Sequence, residues 1–68
     1  MPHLRLEYSG NIEITRDDLN VLFSRLHEVL VNKADADLFR CQGRAICCEN
    51  FCVGDGDKNR AFVYLQVL

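Results

Sequence analysis

The chain has 68 residues, with eight Lys and Arg against ten Asp and Glu, for a net charge of −2 and a pI near 5.5. That length allows one small domain, and an acidic balance excludes a nucleic-acid binder working through a basic face. Hydrophobic residues make up 49%, more than a domain that buries only about 60% of its unfolded surface can hide, so self-association is expected. No apolar run approaches the ~20 residues of a membrane span. No basic segment followed by an apolar one opens the chain, so the expected location is cytoplasmic.

Residues Pro2 to Tyr8 read as a strand, with Leu4, Leu6 and Tyr8 on one face and His3, Arg5 and Glu7 on the other. Pro2 is the only proline. A missing N–H is tolerated at the first position of a strand, but the residue also carries a chemical reading. Removal of Met1 would leave a secondary amine. An α-amino group titrates near ~8, and burial or neighbouring cations push that value down. A base poised near neutral pH is what proton transfer requires.

Ser9-Gly10-Asn11 is a turn signal. Thr15 then offers an N-cap, Asp18 completes a variant capping box, and Ile14 can staple against Leu19. Leu19, Leu22, Phe23, Leu26, Val29 and Leu30 follow at helical spacing, which predicts a one-faced amphipathic helix from Arg16 to Asn32. His27 lies at the edge of that stripe and reads as a surface residue. Lys33 to Phe39 is a connection, with Leu38 or Phe39 tucking back.

From Gly43 to Val53 the residues are small, β-branched, aromatic or cysteine, which predicts a second strand. Cys41, Cys47, Cys48 and Cys52 lack the closely spaced pairs of zinc sites. In a reducing compartment they are expected to be neither disulfides nor metal ligands. Gly54 to Asn59 is a loop whose glycines suit a hairpin. Arg60 to Leu68 is a third strand, apolar on both faces and so expected to lie in the interior or to be covered by another subunit.

Two blocks of sequence go further. Pro2-His3 leads the first strand, with Glu7-Tyr8-Ser9 and Asn11-Ile12 after it. Gly54-Asp55-Gly56 is followed by Ala61-Phe62-Val63. Together they resemble the 5-carboxymethyl-2-hydroxymuconate isomerase family of the tautomerase superfamily. The resemblance implies an α+β fold: a tautomerase-like β-α-β unit with an additional β-hairpin, one amphipathic helix lying on a small mixed sheet. It implies homo-oligomers, trimers or hexamers, and no cofactor; that no nucleic-acid or membrane partner is expected follows from the charge and the lack of a long apolar run. It also implies a small dicarboxylate or tricarboxylate substrate held by arginines, with the N-terminal proline shuttling the proton. By that resemblance Pro2 is the catalytic residue and Arg44 a substrate-binding one, with Arg40 its substitute if the register slips. Arg5 and Arg60 are left as surface residues.

The chain departs from the family pattern at Cys47 and Cys48, which replace aromatic and charged residues, and at Leu68, which precedes the family's second helix. It therefore reads as one domain over residues 1–68, or as the first half of a longer member. The function expected is an isomerase or tautomerase acting on an enolic or dienolic 2-oxo acid. The alternative is an inactive oligomeric module on the same fold, used for binding or structure.

Overall fold

The computed structural model describes residues 2–68. Strand β1 (His3–Ser9) is followed by helix α1 (Arg16–Ala34), a short 3-10 helix (Leu38–Arg40), strand β2 (Gln42–Cys48) and strand β3 (Val63–Val67). The α+β class and the single helix over a small mixed sheet are as the sequence predicts.

Helix α1 starts where its side chains satisfy the free backbone donors. The Asp18 N–H donates to Thr15 Oγ1 at 3.1 Å, and the Thr15 N–H donates back to Asp18 Oδ2 at 3.1 Å. The helix runs past Asn32 to Ala34 and stops where Asp35 turns into the left-handed region, φ 56°, and returns its N–H to the Leu30 carbonyl.

The sheet order is β2-β1-β3, with β2 parallel to β1 and β3 antiparallel to it. This corrects two expectations. β3 is an edge strand rather than an interior one, and the Gly54–Asn59 loop does not join paired neighbours. Gly54 and Gly56 do take positive φ, 60° and 84°. The loop is nevertheless pinned across the end of β1: the Asn11 side-chain amide donates to the Lys58 and Arg60 carbonyls at 3.1 and 2.7 Å. The Phe62 N–H then donates to the Ser9 hydroxyl at 3.0 Å. Ser9 is fully buried. The chain leaving β2, which ends at Cys48 and not Val53, is thereby carried to the far side of β1 before it re-enters the sheet.

Leu4 and Leu6 form the core, 2% and 4% exposed. Burying each contributes about 1.5–3 kcal/mol. Gly43 of β2 is the register partner of Leu4, and the Phe23 ring of α1 lies directly over it. The helix therefore covers the β1–β2 half of the face. On that same face Val63, Leu65 and Val67 of β3, opposite Tyr8, Leu6 and Leu4, stay 62%, 40% and 57% exposed.

His27 is not a plain surface residue. It is half-buried, stacks on Phe23 with centroids 6.4 Å apart, and has a buried Nε2 without a hydrogen-bond partner. Leu38 lines a cavity of about 350 Å³ against Ser24, His27, Glu28 and Val31 of α1, whereas Phe39 points into solvent, 93% exposed. Among the described residues, no helix is long and apolar enough to cross a membrane.

Candidate functional site

The candidate residues collect where β1 begins. As the central strand, β1 is bonded on both sides from its first residue. The Gln42 N–H donates to the Pro2 carbonyl at 3.1 Å, His3 N–H donates to the Leu68 carbonyl at 3.0 Å, and Leu68 N–H donates to the His3 carbonyl at 2.8 Å. Pro2 is half-buried. The removal of Met1 on which its basicity depends concerns a residue outside those described.

Alternation along β1 sets His3, Arg5 and Glu7 on the face away from α1. The parallel register brings Gln42 opposite His3 and Arg44 opposite Arg5, so Arg44 joins that polar face. Its Nη2 lies 3.0 Å from His3 Nδ1. Arg5 is occupied locally, with Nε 3.1 Å from Glu7 Oε2. Among the described residues no carboxylate pairs with Arg44. An exposed guanidinium with most of its donors free suits the two-pronged grip of a carboxylate.

Arg40 is placed differently. It belongs to the 3-10 helix and not to β2, and its Nε stands 3.8 Å from Asp37 Oδ2. Arg60 is tied to Asp55, Nε to Oδ1 at 2.7 Å and Nη2 to Oδ2 at 3.2 Å. Those bonds hold the Asp55 carboxyl below its usual range and raise the Arg60 guanidinium.

Sequence reasoning passed over His3, reading it only as a polar-face residue. A signal was present: a β-α-β crossover sets the second strand parallel beside the first, so residues early in both strands become neighbours. At the other end of β1, partial burial raises the Tyr8 phenol, helped by Cys47 and Glu49 beside it. All four cysteines are free thiols. Among the described residues no group of three or more His, Cys, Asp or Glu is arranged to hold a metal ion. The cavity under Leu38 includes none of Pro2, Arg44 and Arg40.

Searches of curated proteins and of solved structures give no match. The scan of protein families does: the model of 5-carboxymethyl-2-hydroxymuconate isomerase matches residues 2–68. The match starts at Pro2 and spans all three strands and the helix, so the chain belongs to the 5-carboxymethyl-2-hydroxymuconate isomerase family.

Proposed function

We propose that the chain is a cofactor-independent cytoplasmic isomerase that moves a proton on an enolic or dienolic 2-oxo acid of the 5-carboxymethyl-2-hydroxymuconate type. The observation that carries this is the family match over residues 2–68, which supports an activity of the isomerase or tautomerase class. The finer assignment of base and substrate grip is our reading of the site.

With Met1 removed, the neutral Pro2 nitrogen takes the proton of the substrate's 2-hydroxyl. The C2–O bond becomes a carbonyl, the electron pair moves along the conjugated system, and the far carbon receives the proton back from the Pro2 ammonium. Nothing is oxidised and no group leaves. Arg44 holds a substrate carboxylate and offsets the negative charge growing on the oxygen, an electrostatic contribution that is usually large. Positive charge near the amine also keeps it unprotonated at neutral pH. Arg40 is the second candidate for the carboxylate, and it would first have to leave Asp37.

The test combines intact mass with kinetics on 5-carboxymethyl-2-hydroxymuconate. The purified protein is expected to lack Met1, and Pro2→Ala to lose roughly 10²–10⁴ in kcat, the range a positioned acid–base group supplies. The wild-type rate should rise with pH through one ionisation as the amine loses its proton. A retained Met1, or a Pro2→Ala variant with unchanged turnover, rules out the proline base; a protein with no turnover at all leaves an inactive module on the same fold.

A further inference from the structure

We propose that His3 is a positioning residue for Arg44, holding the guanidinium ready for a substrate carboxylate while leaving its charge unspent. The inference deepens the reading in which Arg44 is the carboxylate grip and rests on it.

The contact dictates the chemistry of the imidazole. A guanidinium has only donors, so the Nη2–Nδ1 separation of 3.0 Å requires Nδ1 to present its lone pair. The ring proton then sits on Nε2, and His3 is neutral. Protonated His3 would set two donors against each other.

The remaining groups on this face agree with that assignment. From β1, Arg5 is engaged by Glu7. From β3, Gln66 and Tyr64 stand opposite Arg5 and Glu7. Glu7 is the one carboxylate in the set, and it pairs with Arg5, not Arg44.

A neutral acceptor suits this position better than a carboxylate would. An Asp or Glu at residue 3 would also restrain Arg44, but it would neutralise the guanidinium and compete with the substrate for the same donors. The imidazole takes a single N–H. An arginine has five, so the fork stays open to an incoming carboxylate. A long exposed side chain loses rotamer freedom when it clamps a ligand, and a side chain already restrained loses less on binding.

The backbone completes the device. His3 follows Pro2 directly and is fixed by its reciprocal pair of hydrogen bonds with Leu68. The carboxylate grip is thereby referenced to the same short segment that carries the proposed base.

The experiment compares wild type, His3→Ala and His3→Asn as full chains, with initial rates on 5-carboxymethyl-2-hydroxymuconate. Asparagine places its Oδ1 near the position of Nδ1 and can accept from Arg44. His3→Ala is expected to raise KM on the order of ten-fold, the size of one hydrogen bond to a charged group, with a smaller fall in kcat. His3→Asn should restore KM to near the wild-type value. An unchanged KM in His3→Ala, or His3→Asn as impaired as His3→Ala, overturns the proposal.

Nitrogen NMR of the His3 ring gives a readout independent of turnover. Nδ1 should be unprotonated in wild type, and its signal should change in Arg44→Ala. A protonated Nδ1 in wild type, or a signal indifferent to Arg44→Ala, overturns the proposal as well. If the wild-type protein is inert toward the substrate, the isomerase reading falls, and the ring spectra alone decide for or against the His3–Arg44 hold.

Discussion

Of the glycines, Gly43 leaves the least room for a side chain, because the Phe23 ring lies against it, and a single methyl group tests that fit. An ideal Cβ on Gly43 would stand 2.6 Å from Phe23 Cδ1, 2.9 Å from Cγ and 3.0 Å from Cε1. Carbon atoms in favourable contact sit about 3.5–4.0 Å apart, so Gly43→Ala forces the ring back by roughly 1 Å. Cγ is near the root of the side chain, so the ring cannot simply tilt its far edge away. Either χ1 leaves its well or α1 lifts from the sheet. Overpacking of this kind costs about 1–3 kcal/mol.

A smaller effect opposes it. Gly43 has no positive φ, so alanine meets no backbone strain there, and replacing a strand glycine returns about 0.5–1 kcal/mol. The clash wins, with a net destabilisation of about 1–2 kcal/mol. For a domain of this size that lowers Tm by roughly 4–16 °C. Thermal unfolding followed by circular dichroism measures it. In a Phe23→Leu background the same Gly43→Ala change should lose most of its effect, which a double-mutant cycle reads directly. Equal destabilisation in both backgrounds, or a Gly43→Ala protein as stable as wild type, would refute the packing argument.

Ser9→Ala should destabilise by about 1–3 kcal/mol, because the Phe62 N–H donates to the Ser9 hydroxyl at a fully buried position; urea unfolding measures it, and a neutral result would mean another acceptor takes the N–H. The Asp55 carboxyl, held low by Arg60, should titrate below its ordinary value near ~3.9, so the exposed loop ion pair is fully present above that value and is lost as pH falls through the lower folded one. Carbon NMR of the Asp55 side chain follows this, and an ordinary midpoint contradicts the pairing. We also propose that a second copy of the chain covers the exposed β3 residues Val63, Leu65 and Val67 together with Tyr64. Leu65→Asp should then dissociate the assembly, since an unpaired charge is costly to bury, whereas wild type scattering light as a folded monomer at micromolar concentration counts against the idea.

What was legible in the sequence is what local chemistry decides. Thr15 and Asp18 announce the start of α1 because the cap is made within four residues, and the spacing of Leu19, Phe23, Leu26 and Leu30 announces the covered face, whereas Leu22 and Val29 of the same predicted stripe stay exposed. The rank of the strands was not legible. β3 alternates no polar face, which reads as interior, yet it is an edge strand with one side of its ladder free. Apolar residues on both faces report only what could be buried, and here α1 is narrow enough to cover β1 and β2 alone. His27 was misread for a related reason: the stripe edge places it correctly on the helix, but the 3-10 helix that brings Leu38 near it is set by Asp37 accepting from the Phe39 N–H, a contact outside α1. The Arg44–His3 contact needs the parallel register, which no property of either residue encodes.

That register bears on the proposed chemistry. The first residues of a chain usually fray, which is a poor setting for a base that must meet its proton at hydrogen-bond distance. Making the first strand the central one removes the difficulty. Pro2 is bonded to β2 through its carbonyl, and His3 is bonded on the opposite edge to Leu68 through both its N–H and its carbonyl. Had β1 been an edge strand, one of those two restraints would be missing, and the Pro2 end could swing about the remaining one. The same centrality sets Arg44 within reach of His3, because a parallel neighbour begins where β1 begins. A misplacement of about 1 Å can cost on the order of 10²-fold in rate. The proposed base and the proposed carboxylate grip, referenced to one doubly anchored backbone segment, would be guarded against that error, and an edge position for β1 would guard neither.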